Sequence, residues 1–231
     1  MFEDFGLSAR NRISTPIGQD ANKAKRFALL ALAIFILSES VSTLKFISTR
    51  GLPYNQVAFW SALEALIFWW ILPILIVYKV ERGDWKSMGL VVRREKRLIY
   101  ILAAGLGLVL PAFLVGFDRL LLVEFVEQIV YIGFIEELFY RGYLLRRMCD
   151  WLGDVRGLLI TSFLFGLGHI LSRLAQKGLT ILGPASLLGF QTFLGGLLFG
   201  FIYLRAKNIW PSAILHISMN MYLGRMMELL S

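Results

Sequence analysis

Seven apolar stretches, at roughly 27–46, 57–78, 98–117, 128–145, 157–171, 180–204 and 209–223, punctuate this chain and restrict its solvent to lipid. Inside a bilayer every backbone N–H and C=O must pair within the protein, which leaves only helices or a closed barrel. Most of the stretches run to about twice the length that a barrel strand needs, so helices follow. The expected fold is an all-α, polytopic transmembrane bundle of about seven spans in a single integral membrane domain covering 1–231. A chain of 231 residues with 57% hydrophobic and 17% charged side chains agrees with that expectation. The third stretch runs on toward Pro111, and Gly183-Pro184 at the start of the sixth suggests a short re-entrant piece before a helix from about 185, so an eighth helix is the alternative count.

The formal charge of +8 raises nucleic acid as a partner, but basic residues in a helical membrane protein belong in cytoplasmic loops, against anionic lipid. Membrane lipids, rather than nucleic acid, are the expected surface partner. The tail 1–26 carries Arg10, Arg12, Lys23, Lys25 and Arg26; the second loop carries Lys79, Arg82, Lys86, Arg93, Arg94, Lys96 and Arg97. With Arg146, Arg147, Arg156, Arg205 and Lys207 these outnumber the Lys45, Arg50, Arg119, Arg173, Lys177 and Arg225 of the other side. A cytoplasmic N-terminus and a multi-pass path through a bacterial or archaeal plasma membrane are the resulting expectations. The segment Trp85 to Leu90 reads as an amphipathic stretch lying on that surface. The one cysteine, Cys149, cannot form an internal disulfide and reads as a small apolar filler. Gly196 and Gly200 offer a small-xxx-small contact between helices.

An ionisable side chain at membrane depth is costly, so each one within a span is a functional candidate. The fourth stretch has three, Glu136, Glu137 and Arg141. Glu137 and Arg141 stand one helical turn apart with the acid first, the favourable order for a pair, which leaves Glu136 free to act as a base. Both histidines of the chain, His169 and His216, also fall in apolar stretches, and Asn220 shares a helix face with His216. At a rise of about 1.5 Å per residue, Glu136 lies about 15 Å from the cytoplasmic end of its helix, His169 about 20 Å and His216 to Asn220 about 10–17 Å, depths at which all could meet. Glu39 and Glu64 also interrupt apolar stretches; pairing with a neighbouring helix is the expected reading, lining a cavity the other.

Glu136-Glu137-x-x-x-Arg141, Phe165-x-x-x-His169 and His216-x-x-x-Asn220, in that order, resemble the three motifs of the CPBP, or ABI, family of membrane proteases, which includes the type II CAAX prenyl endopeptidases. The resemblance covers the catalytic motif helices, 128–223; the first three helices match in hydropathy alone. It implies an intramembrane endopeptidase in which Glu136 and His169 hold and deprotonate a water, His216 and Asn220 steady the oxyanion, and Glu137 and Arg141 support Glu136. Such chemistry suits the residue types, since a carboxylate accepts protons while an Asn amide and a His N–H donate hydrogen bonds. The implied partner is a peptide or lipidated peptide, either a prenylated C-terminus or a bacterial leader or membrane peptide cut near the cytoplasmic surface. Two mechanisms stay open: a metal-free glutamate mechanism, and a catalytic zinc held by Glu136, His169 and His216.

Two other classes of function compete with catalysis. Relatives of this kind include non-catalytic immunity or signalling partners, which tend to lose motif residues, whereas here every motif position is filled. A proton-coupled transporter using the buried Glu and His would be expected to show an inverted repeat or paired broken helices, and the sequence offers neither.

Overall fold

The computed structural model of the chain describes residues 21–49, 51–91, 94–109, 128 and 132–230. The described residues form an all-α membrane bundle with no strands, built from seven helical units. Helix α1 is Ala21–Ser48. Helix α2 runs from Tyr54–Ala65 through a π-helical stretch Leu66–Ile71, a short α turn Leu72–Leu75 and a second π stretch Ile76–Val80. Pro73 explains the wider winding: it offers no N–H to the preceding turn and its ring crowds the carbonyl four residues back, and a local π turn accommodates both. Helix α3 is Arg97–Ala104, continued by π-helical Gly105–Val109.

Helix α4 carries the acidic motif in three continuous parts, Gly133–Glu137, π-helical Leu138–Leu145 and Arg146–Leu152. It ends at Gly153, whose φ of 83° is a left-handed value that favours glycine, and α5 follows at once as Asp154–Lys177. A turn of 3₁₀ helix, Leu179–Ile181, leads into α6, Leu182–Ala206, and α7 is Trp210–Leu230. Four of these, Ala21–Ser48, Gln56–Val80, Asp154–Lys177 and Leu179–Ala206, are long and apolar enough to cross a bilayer.

Gly183 and Pro184 sit in the first turn of an unbroken α6, where proline's missing N–H has no helical partner to lose, so no separate re-entrant piece precedes that helix. The expected run of the third stretch to 117 lies outside the described residues beyond 109, as does the polar tail before 21.

Around α4 the bundle is tightest. Leu138, Phe139, Tyr140, Tyr143, Leu144 and Leu145 are all buried, so the π-helical stretch presents its whole circumference to protein. The α5–α6 seam brings backbones together. A Cβ on Gly166 would lie 2.5 Å from the Gly189 carbonyl oxygen, and one on Gly196 would lie 3.0 Å from the Ser162 Cα. Small residues are used where lipid supplies no hydrophobic drive and close packing must supply attraction instead. Gly196 thus takes part in the small-residue contact expected from its spacing to Gly200.

The 84–90 segment departs from a stretch lying flat on the surface. Asp84 caps a 3₁₀ turn at Trp85–Met88 by accepting from the Ser87 N–H, and the turn closes on Gly89 at φ 78°. Trp85 remains exposed, but Met88 is buried at 1% exposure, and the Gly89 carbonyl accepts from the Ile209 N–H at 3.1 Å. The Met88 carbonyl oxygen comes so close to Gly142 that a Cβ there would stand 2.6 Å away. Arg147 of α4 donates to Glu81 from both Nε, at 3.2 Å, and Nη2, at 2.6 Å, fastening the end of α2 to α4 through a buried pair. Cys149 is buried beneath α5, where a Cβ on Gly157 would meet its Sγ at 2.7 Å, so its role is packing rather than surface modification.

Candidate active site

Glu137 is fully buried and is the hub of the polar cluster. Its Oε1 forms an ion pair with Arg141 Nη1 at 2.8 Å and accepts from His216 Nδ1 at 2.9 Å. The acid–base pair expected one turn apart therefore forms, and it survives the π winding that begins at Leu138. Arg141 is held from its other side by aromatic faces: its guanidinium lies 4.5 Å from the Phe165 ring centroid and 5.4 Å from that of Phe199. Ring quadrupoles favour a cation there, which offsets part of the cost of burying the guanidinium at 2% exposure.

His216 is oriented by the same carboxylate. With Nδ1–H given to Glu137, the ring stacks on Phe199 at 4.8 Å and meets the edge of Phe165 at 5.9 Å. Its Nε2 then faces Glu136 Oε2 at 3.7 Å, beyond direct hydrogen bonding. Glu136 is 8% exposed, and its Oε2 has no hydrogen-bond partner among the described residues. Neighbouring carboxylates thus have separate duties. Glu137 is engaged by Arg141 and His216, while Glu136 turns a bare oxygen toward the imidazole.

His169 approaches from α5. Its Nδ1 lies 2.8 Å from the Phe165 carbonyl oxygen, which can only accept, so Nδ1 carries the proton and Nε2 keeps its lone pair in the neutral ring. Phe165 is the common wall of the cluster, with its centroid 4.6 Å from that of His169 and 4.8 Å from that of Tyr140. This role gives the phenylalanine of Phe165-x-x-x-His169 a physical reason. Asn220 stands one turn beyond His216, is exposed, and donates through Nδ2 to Gln128 Oε1 at 2.8 Å. An amide nitrogen has two hydrogens, so the second remains available.

Of the other acids, Glu64 pairs with a neighbouring helix as expected, whereas Glu39 takes the cavity-lining alternative. Glu64 receives Lys45 Nζ at 2.5 Å, and the same ammonium donates to Ser61 at 3.0 Å. Glu39 accepts from the Tyr140 hydroxyl at 3.4 Å and also lines a groove between α1 and α5. Its position as an acid interrupting an apolar stretch was the only signal in the sequence; nothing there pointed to Tyr140, Phe199 or Gln128.

The ligand set for zinc can be tested on this geometry. Glu136 Oε2 and His216 Nε2, 3.7 Å apart, would suit two ligands of one ion with bonds of about 2.0–2.2 Å. Among the described residues, however, no three His, Cys, Asp or Glu side chains are grouped to hold a metal. The three-ligand site is therefore incomplete as arranged.

Among known proteins, residues 118–222 match the family described as Type II CAAX prenyl endopeptidase Rce1-like. No curated protein and no solved structure gives a match. The matched residues contain Glu136, Glu137, Arg141, His169, His216 and Asn220, and their family points to a peptidase acting on peptide substrates. The segment that builds the polar cluster is thus similar to the Rce1-like family of type II CAAX prenyl endopeptidases.

Proposed function

We propose that this chain is an intramembrane endopeptidase in which Glu136 activates a water for attack on a peptide bond. The observation that carries the reading is the bare Oε2 of Glu136 facing the Nε2 of a histidine already oriented by Glu137. Glu136 takes one proton from the water as its oxygen adds to the scissile carbonyl, and His169 holds that water through the lone pair of Nε2. The developing oxyanion forms beside the His216 ring and takes a hydrogen bond from the second N–H of Asn220. Collapse of the tetrahedral adduct expels the amine, which recovers the proton from Glu136. Glu137 and Arg141 remain paired throughout and hold His216 in register.

The basic loops favour a cytoplasmic N-terminus, and the depths of the motif residues favour cleavage of a peptide entering from that side. A prenylated C-terminus or a bacterial leader or membrane peptide fits the family and the lipid setting. Purified protein should cleave a quenched fluorescent peptide of this kind, and Glu136→Gln or His169→Ala should lower the rate about 10²–10⁴-fold with little change in thermal unfolding. A variant of either residue that retains full activity refutes the assignment.

A further inference from the structure

Beside the polar cluster, α1 and α5 flank an open groove of ≈ 500 Å³. Its volume lies within the range of about 300–1,000 Å³ in which small-ligand sites fall. Phe35, Ile36, Leu44, Leu167 and Leu171 make it apolar, while Glu39, Ser40 and Thr43 form one polar edge along α1. The groove adjoins the cluster at α5: Leu167 and Leu171 bracket His169 in sequence, and the Glu39 carboxylate sits so near Gly168 that a Cβ there would lie 2.8 Å from its Oε1. A glycine at 168 therefore lets the acid reach the backbone of the histidine-bearing helix.

Glu39 is conspicuously under-used for a carboxylate at membrane depth. It is 8% exposed and has no ion pair among the described residues, because the nearby Lys45 ammonium is bonded to Glu64. Its one hydrogen bond comes from Tyr140 at 3.4 Å, whereas a carboxylate offers about four acceptor positions. Ser40 spends its hydroxyl hydrogen on the Ile36 carbonyl, so its oxygen faces neighbours as an acceptor too. An apolar groove with an edge of acceptors complements an apolar ligand that brings donors.

An extended peptide is such a ligand. To be cut, a substrate segment must leave its helix, and each N–H that it frees needs an acceptor in a medium where water is scarce. We propose that the α1–α5 groove is the substrate-binding subsite of this chain, holding an extended apolar peptide segment with Glu39 accepting from its backbone N–H groups. This inference rests on the peptidase reading for the identity of the ligand, but binding tests it apart from turnover.

The probe is a fluorescent tetraleucine amide, compared with its counterpart N-methylated at the backbone amides, binding to full-length Glu136→Gln protein in nanodiscs. The unmethylated peptide should bind about tenfold more tightly, the effect of one charge-assisted hydrogen bond, and Glu39→Leu should erase that preference. Glu39→Gln, which keeps an acceptor without the charge and serves if the leucine variant does not fold, should reduce it. Equal affinity for both peptides, absence of binding, or an unchanged preference in the Glu39 variants overturns the proposal. In otherwise unaltered enzyme, Glu39→Gln should raise KM with kcat nearly constant; a fall in kcat at constant KM makes Glu39 a prop for Tyr140 and also overturns it. Binding with the stated preference in a protein that cleaves nothing would instead remove the peptidase reading and leave the groove standing.

Discussion

Glu137→Gln separates two tasks that meet on one oxygen atom. In the folded protein that oxygen is ion-paired with Arg141 at 2.8 Å and bonded by His216 at 2.9 Å, with Glu137 at 0% and Arg141 at 2% exposure. Glutamine keeps the shape and one acceptor but leaves Arg141 without an anion. Breaking a buried pair costs about 3–5 kcal/mol, and because the Phe165 and Phe199 faces hold the cation in parent and variant alike, a loss of that size is expected. Adding Arg141→Leu removes the stranded charge and should restore stability to within about 1 kcal/mol of the parent. Activity should not return, because His216 still lacks the carboxylate that aims its Nε2 at Glu136; a deficit of at least about 10²-fold should persist in the double variant. Stability would be read from unfolding in increasing dodecyl sulfate and activity from peptide cleavage in the same detergent. Recovery of activity along with stability would refute the reasoning, since Glu137 would then serve only as the counter-ion of Arg141.

Lys45→Met should destabilise the protein by about 1–3 kcal/mol by leaving Glu64 without its cation, and adding Glu64→Gln should recover most of that loss in the same unfolding assay. Gly142→Ala should cost about 1–3 kcal/mol, because its new Cβ would lie 2.6 Å from the Met88 carbonyl oxygen, and limited proteolysis should find the 84–90 segment loosened. Burial, reinforced by the negative charges of Asp154 and Asp150, pushes the Cys149 thiol well above its usual range. Maleimide should therefore label it slowly in the folded protein at pH 8 and rapidly after unfolding. By linkage, the unfolded thiol loses its proton first as pH rises past about 8.5, so this group's contribution to stability is complete below that pH and declines above it; Cys149→Ala should flatten the decline in an unfolding series from pH 7 to 10.

Local relations were legible in the sequence, and relations between distant segments were not. Glu137 and Arg141 meet because four residues make about one turn, a rule that spacing alone conveys. The scarcity of charge in apolar stretches likewise singled out Glu136, His169 and His216, and the structure brings Glu136 beside His216. Which carboxylate His216 would bond could not be read, because spacing says nothing about how α7 rotates against α4. The same limit hid Asn220 with Gln128, Tyr140 with Glu39 and Arg147 with Glu81, pairs separated by 92, 101 and 66 residues. Hydropathy located the helices but not their winding. The π turns at Leu66–Ile71 and Leu138–Leu145 leave the apolar pattern almost unchanged while shifting every later side chain around the axis.

Arg147, Tyr140 and Gly142 all lie in the part of the chain that matches the peptidase family, yet each leans on the preceding part: Glu81, Glu39 and the Met88 carbonyl. The first helix and the segment 81–88 thus act as an internal scaffold for the part that matches the family. A fragment starting at 118 would insert with the Arg147 guanidinium deprived of its carboxylate and left to the Gly142 and Tyr143 carbonyls, and with the Tyr140 phenol deprived of Glu39. Supplying residues 1–117 as a separate polypeptide should rescue such a fragment, whereas lengthening the fragment at its far end should not.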